Sequence, residues 1–265
     1  MVVEFTSKHR YGEQGEVYFN DGRELDLLKH IFGLPAEQLD RLRGNPTAVL
    51  EAIDKFAEEK YLMNIGELKG SHVTALITKH KPSLCLELGG YVGYSCILFA
   101  SCARAANPSA KYYCLEYNPV FGAVIMALVH LAGLEDTVRV IIGSSTDTIK
   151  RCSKDGTWGK SGADFVFLDH LKPMYTPDLR LMESLGVVRM GTVVAADNMV
   201  KPGNPPYHEW VNADKSKKEE IVKSVKGEER GKTGIRYENT WIESWEPQAV
   251  PDAIEVSVVV ECPET

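Results

Sequence analysis

From about residue 84 onward, the apolar positions fall into short runs separated by helical stretches. Leu84-Cys85-Leu86-Glu87-Leu88 reads as a strand and Tyr94 to Arg104 as a helix. Lys111 to Leu115 reads as a strand, and Pro119 to Ala132 as a helix with its apolar positions on one face. Val138 to Ile142 is a strand, followed by a short helix from about Asp147. Ala163 to Leu168 is a strand, Pro177 to Val188 a helix, and Thr192 to Ala196 a strand. Strands alternating with helices imply crossover units and a parallel sheet. Ile235 to Ser244 and Ile254 to Glu261 have no helix between them, which predicts an antiparallel edge pair. Residues 22 to 81 read as helices packed beside the sheet; Pro46 marks one helix start, and Val49, Ile53 and Phe56 its apolar face. Residues 212 to 234 mix Lys and Glu with few apolar anchors, which predicts a mobile surface loop or solvated helix.

The chain has 265 residues, of which 44% are hydrophobic, enough for a sizeable core. A formal net charge of −7 argues against a general nucleic-acid binder. No run approaches the roughly 18 to 20 apolar residues that cross a bilayer. The segment MVVEFTSKHRYGEQGEVYF lacks the basic start and apolar centre of a signal peptide. The cysteines at 85, 96, 102, 114, 152 and 262 show no metal-ligand spacing, so reduced core residues in a cytoplasmic protein are expected.

Two strand ends carry the first chemistry. Phe165-Val166-Phe167-Leu168 runs into Asp169, and Val193-Val194-Ala195-Ala196 into Asp197-Asn198. Wholly apolar runs are strands buried on both faces, and their carboxyl ends open on the ligand crevice. One aspartate there is ordinarily a cap for the next helix or turn. Two aspartates with an adjacent asparagine are three hard oxygen donors, a set that suits Mg²⁺.

The first strand–turn–helix carries a second site. Leu88-Gly89-Gly90-Tyr91-Val92-Gly93 closes the strand and opens the helix, and glycine lets a ligand approach the backbone there. A dinucleotide fingerprint would require glycine at 91 and 94, where this chain has tyrosine. Glu116 ends the second strand, in position to accept both hydroxyls of a ribose. A nucleoside without a pyrophosphate fits, and S-adenosylmethionine is the obvious one.

The stretches LELGGYVGYS, LEYNP, VFLDHLKPMY and VVAADN, in this order, resemble the catechol O-methyltransferase family. NPTAVLEAIDKFAEEKYLMNIGELKG also resembles that family's N-terminal helices. The likeness covers about residues 45 to 210, and more loosely to 262. It implies a Rossmann-like class I methyltransferase fold, α/β, with a mainly parallel seven-stranded sheet, an antiparallel edge and extra N-terminal helices. The whole chain would be one methyltransferase domain, with residues 1–82 as a helical extension and 83–265 as the cofactor-binding core. The implied cofactors are S-adenosylmethionine and Mg²⁺, and the implied partner is a small catechol, with no nucleic acid and no membrane, on a monomer or weak dimer.

The resemblance also implies roles. Asp169, Asp197 and Asn198 would ligate Mg²⁺. Lys172 would be the general base, although a lone lysine is more often a solvated surface group. Glu243 would bond the hydroxyl that is not methylated, against the alternative of an exposed strand glutamate. Met63, Asn64, Ile65, Gly89, Tyr91, Ser95, Glu116, Tyr117, Ser145, Thr146 and His170 would surround the cofactor. Tyr61 and Pro202 would flank the catechol ring, with Lys172, Asn198 and Glu243 also touching the substrate.

The departures lie around the ring and adenine walls. The family usually has tryptophan where this chain has Leu171 and Tyr61, Thr146 replaces a longer amide, and 212–234 is longer than in the animal enzymes. They leave the metal chemistry in place and the identity of the substrate open. A caffeoyl-CoA-type or other metal-dependent phenolic methyltransferase is the nearest alternative. A nicotinamide-dependent oxidoreductase is opposed by the tyrosines at 91 and 94. A ligand-binding protein without catalysis would have no need of Lys172.

Overall fold

The computed structural model describes residues 4–159 and 161–263. Its sheet has β1 (Leu84–Leu88), β2 (Lys111–Glu116), β3 (Val138–Ile142), β4 (Phe165–Leu168), β5 (Val193–Ala196), β6 (Arg236–Trp245) and β7 (Pro251–Glu261). They lie in the order β3-β2-β1-β4-β5-β7-β6. β1 to β5 run parallel, β7 runs antiparallel to β5, and β6 antiparallel to β7. The chain winds outward from β1 to β3, then returns to β4 and winds the other way. The crevice of such a sheet opens where that reversal occurs, between β1 and β4.

The period of two along the strands divides the core. Phe165 and Phe167 of β4 face one apolar cluster, and Val166 and Leu168 the other. The first cluster is covered by α1 (Arg23–Phe32), α2 (Ala36–Leu42), α3 (Pro46–Glu59), α4 (Gly66–His80), α5 (Tyr94–Ala106) and α6 (Pro119–Leu131). The second is covered by α7 (Ser145–Asp155), α8 (Tyr175–Ser184) and α9 (Pro205–Asn212). Local chemistry sets the helix starts. Asn45 and Asn118 accept from the Ala48 and Val120 N–H groups, each followed by proline at the first helical position.

The seven strands and the antiparallel edge fall where the apolar pattern predicts. α8 is displaced from the expected 177–188: Pro177 lies inside its first turn, where no intrahelical N–H is missed, and the helix ends before Gly186 at φ 72°. The six cysteines are free, four of them buried. Among the described residues no helix is long and apolar enough to cross a membrane.

The expectation for residues 212–234 requires correction. The segment contains α10 (Lys215–Ile221), and Lys218 and Val222 within it are fully buried. Lys218 Nζ donates to the Ile235 carbonyl at 2.8 Å and lies 5.0 and 4.8 Å from the ring centroids of Trp210 and Tyr237. Glu183, also buried, accepts from Trp210 Nε1 at 2.9 Å, the Tyr237 hydroxyl at 2.5 Å and the Lys232 N–H at 3.1 Å. A lysine and a glutamate that composition assigns to water dock this segment on the second core cluster. Lys218→Met should therefore lower the free energy of unfolding by about 1–3 kcal/mol, because it strands the Ile235 carbonyl and removes a charge near Glu183. Urea denaturation measures this; a solvated lysine predicts no shift of the midpoint.

Candidate active site

Register brings the two strand ends together. Leu168 pairs with Ala196, so Asp169 and Asp197 leave adjacent strands side by side. Their N–H groups continue the ladder, Asp169 to the Leu88 carbonyl at 2.9 Å and Asp197 to the Leu168 carbonyl at 3.0 Å. Asn198 turns the chain at φ 59°, a left-handed conformation that asparagine tolerates. Lys172 stands on the short turn after β4. Its Nζ donates to Asp169 Oδ1 at 3.0 Å and to the Tyr175 hydroxyl at 2.6 Å. That hydroxyl donates onward to the Asp197 carbonyl at 3.4 Å. Burial keeps the Tyr175 phenol well above its ordinary pKa, so it stays protonated.

Three further charged groups join this one. Lys69 of α4 is fully buried, and its Nζ lies 2.9 Å from Asp197 Oδ2, 2.6 Å from Glu246 Oε1 and 2.8 Å from Asp252 Oδ2. Burial opposes its charge, yet the carboxylates of Asp197, Glu246 and Asp252 raise its pKa well above the usual range. Burial likewise pushes Asp197 and Glu246 upward, against the pull of Lys69, with other carboxylates adding to the rise. Asp252, despite its burial, is held at about 2 by Lys69 and by its hydrogen bonds. Asn198 Nδ2 donates to Glu246 Oε1 at 2.7 Å, which turns the amide oxygen away from that carboxylate.

The sequence reading missed Lys69, Glu246 and Asp252. A signal for Lys69 exists: it shares the buried stripe of α4 with Gly66, Gly70, Val73 and Ile77. Glu243 is exposed on β6 opposite Ala253, and the structure does not bring it to this group. The chain leaves β6 at Trp245 and turns back, with Glu246 N–H donating to the Val250 carbonyl at 2.8 Å. That turn carries Glu246 over the strand ends.

The glycine turn abuts the acidic group. Gly89 has φ +89°, and a Cβ there would strike the Asp169 carbonyl. Glu116 Oε2 accepts from the Gly90 and Tyr91 N–H groups, each at 3.0 Å, and Oε1 from the Asn118 N–H at 2.8 Å. Glu116 thus anchors the turn to the end of β2. Ser95 donates to the fully buried Glu87 at 2.5 Å, and burial pushes Glu87 up to about 7. Ser145 and Thr146 donate to the two oxygens of buried Asp178 at 2.5 and 2.6 Å, and His170 Nε2 lies 3.1 Å from Oδ2. Asp178, also unforeseen, thereby gathers three of the residues expected around the cofactor, and His170 stacks on Tyr175.

The other expected residues are less tightly grouped. Asn64 bonds the Tyr11 hydroxyl at 3.3 Å, Ile65 is buried before α4, and Met63 is half-buried against the first core cluster. Tyr117 is 77% exposed. Tyr61 is buried near Gln248 and Glu246, and burial raises its phenol to about 12. Pro202 stands on the turn Met199–Gly203 directly after Asn198.

The donor set fits a divalent cation. Among the described residues, Asp169, Asp197, Glu246 and Asp252 pair with Lys69 and Lys172 alone, a surplus of acidic groups over basic ones. Lys69 Nζ lies 2.7 Å from Asp197 Oδ1 without hydrogen-bond geometry, so that oxygen is buried with no hydrogen-bond partner. A buried oxygen left in this state is costly unless something else binds it.

Residues 86–199 match the model of a methyltransferase domain family. The chain is 39% identical to catechol O-methyltransferase of Mus musculus over 195 residues, 73% of this chain and 69% of that protein. Its identity to the Bos taurus enzyme is 40% over 193 residues, covering 72% and 67%. For catechol O-methyltransferase B of Danio rerio it is 37% over 203 residues, covering 76% and 75%. Among solved structures, the O-methyltransferase TomG of Streptomyces achromogenes, in complex with SAM, superposes with a TM-score of 0.57 at 19% identity, covering 86% of this chain and 92% of that one. An O-methyltransferase of Bacillus cereus gives 0.52 at 17% identity, covering 88% and 96%. The glycine turn on Glu116, the paired aspartates and these relatives place the chain in the catechol O-methyltransferase family, as an S-adenosylmethionine-dependent O-methyltransferase.

Proposed function

We propose that this enzyme methylates one hydroxyl of a catechol, with a divalent cation, Mg²⁺ by donor type, at Asp169, Asp197 and Asn198. The observation that carries the reading is the pairing of Asp169 and Asp197 across β4 and β5, with Lys172 bonded to one of them. When bound there, the cation would lower the pKa of a chelating diol and hold it in place. The methyl group comes from the sulfonium of S-adenosylmethionine.

The chain's residues then divide the work. Lys172 would be the base that takes the proton from the reacting hydroxyl once the cation is bound beside it; its contacts with Asp169 Oδ1 and the Tyr175 hydroxyl hold Nζ beside the donor set. Glu246, whose Oε1 accepts from Lys69 and Asn198 and whose carboxyl also bonds Asp252, is the acid beside the donor set that would bond the second hydroxyl. The role expected of Glu243 therefore passes to Glu246. Glu116, with its backbone bonds in place, presents the glycine turn to the ribose side of the cofactor. Ser145, Thr146 and His170, gathered by Asp178, form the adenine side. Tyr61 and Pro202 wall the ring. Beyond proton removal the site positions two reactants, a contribution of up to about 7–11 kcal/mol in favourable cases.

Three outcomes follow. Chelation of divalent ions, or Asp169→Ala, should abolish methyl transfer to a catechol, and added Mg²⁺ should restore the chelated wild type but not the variant; full activity after chelation removes the cation from the reading. Lys172→Ala should lower kcat by about 10²–10⁴-fold, with a loss that shrinks as pH rises because more of the diol ionises unaided. Lys172→Arg should not rescue it, since guanidinium does not release its proton near neutral pH; coincident pH–rate curves would make Lys172 a surface residue. Glu246→Ala should lower kcat/KM for a catechol by about 10- to 100-fold, because it removes the bond to the diol and also the hold on the Asn198 amide, whereas Glu243→Ala should leave it near wild type. The reverse ranking would return the role to Glu243.

A further inference from the structure

Asp252 uses both carboxylate oxygens, and they reach different parts of the site. Oδ1 accepts from the backbone N–H groups of Val200 and Lys201, each at 3.0 Å. Oδ2 accepts from Lys69 Nζ at 2.8 Å and from Asn198 Nδ2 at 3.3 Å. Its side chain is fully buried. One carboxylate therefore holds the turn that carries Pro202, the amide of a proposed metal donor, and the lysine that grips Asp197. These parts belong to α4, the β5 end and the β7 start, which no local sequence relation connects.

We propose that Asp252, acting with Lys69, is a positioning residue that fixes the metal donors and the acceptor wall as one preformed unit. The inference rests on the metal and acceptor reading given above. Three facts make it more than a structural salt bridge. Asn198 sits in a left-handed conformation, and its amide is held from behind by Asp252 and Glu246, so the orientation of its oxygen is set before any ligand arrives. Asp197 is gripped by the same Lys69 Nζ that Asp252 binds. The two N–H groups bound by Oδ1 precede Pro202 directly, so a shift of the carboxylate moves the wall and the donors together. Partners that orient metal ligands in this way typically change metal affinity or activity by about 10–100-fold when removed.

Asp252→Asn separates the two halves. The amide oxygen can still accept from Val200 and Lys201, while its NH₂ faces Lys69 and the Asn198 NH₂, both donors. Calorimetry should show Mg²⁺ affinity lowered by about tenfold or more, with S-adenosylmethionine affinity unchanged. The ratio of the two monomethylated products from an unsymmetrical catechol should hold. Asp252→Ala should lower Mg²⁺ affinity and also change that ratio, because the Pro202 turn is released. A folded Asp252→Asn variant with wild-type Mg²⁺ affinity overturns the proposal, as does an unchanged product ratio in folded Asp252→Ala. The wild type supplies a test that needs no variant. In chelator-treated protein the Val200 and Lys201 amides should be protected from hydrogen exchange, and free exchange there overturns the preformed unit. If wild type binds no Mg²⁺, the metal reading fails, while amide protection still reports whether Asp252 holds the turn.

Discussion

The site depends on a buried ammonium group. Lys69 has no exposed surface, yet carboxylates from β5, the turn after β6 and the start of β7 converge on it. Each of those acids would be costly to bury alone, and breaking a buried pair by removing one partner costs about 3–5 kcal/mol. Lys69 makes the group tolerable without making it neutral. Asp169, outside the grip of Lys69, stands beside Asp197 where the strand ends open. The lysine thus supports the N-terminal helices against the sheet edge and sets the charge of the crevice at the same time.

Backbone contact joins this acidic group to the glycine turn after β1. Gly89 lies against the Asp169 carbonyl so closely that no side chain is tolerated, and Glu116 ties the next two N–H groups to β2. The glycine turn and the acidic group are therefore neighbours through main chain alone, at the switch point between β1 and β4. A methyl donor and an oxygen acceptor placed on opposite sides of that contact need little further organisation. The departures from the family, Leu171, Tyr61 and Thr146, lie on the walls proposed for the ring and the adenine. Leu171 is 69% exposed, so this wall is more open to solvent than a buried core position would be.

The sheet was legible because strands buried on both faces are wholly apolar, and their ends are marked by the first polar residue. Asp169, Asp197 and Glu116 were found in that way. Lys69, Asp178, Glu246 and Asp252 were not, and the reasons differ. Lys69 and Lys218 read as solvated because composition assigns lysine to water, whereas both lie on buried helix faces. Asp178, just after Pro177, looks like an ordinary first-turn acid that complements a helix dipole. Asp252 begins a strand, and nothing local tells that both its oxygens are used. Glu243 came from the family resemblance alone, and the turn that carries Glu246 back past the strand end has no strong sequence signal. Periodicity identifies which positions are buried; it does not say which buried charges meet.

The central claim is the assembly of one acceptor around these residues. A crystal structure with S-adenosylhomocysteine, Mg²⁺ and a catechol too electron-poor to react tests it most directly. The account predicts the ion bonded to Asp169, Asp197 and Asn198, with one diol oxygen within hydrogen-bond reach of Lys172 Nζ and the other of Glu246. An ion bound elsewhere, or a diol turned away from Lys172, would contradict it.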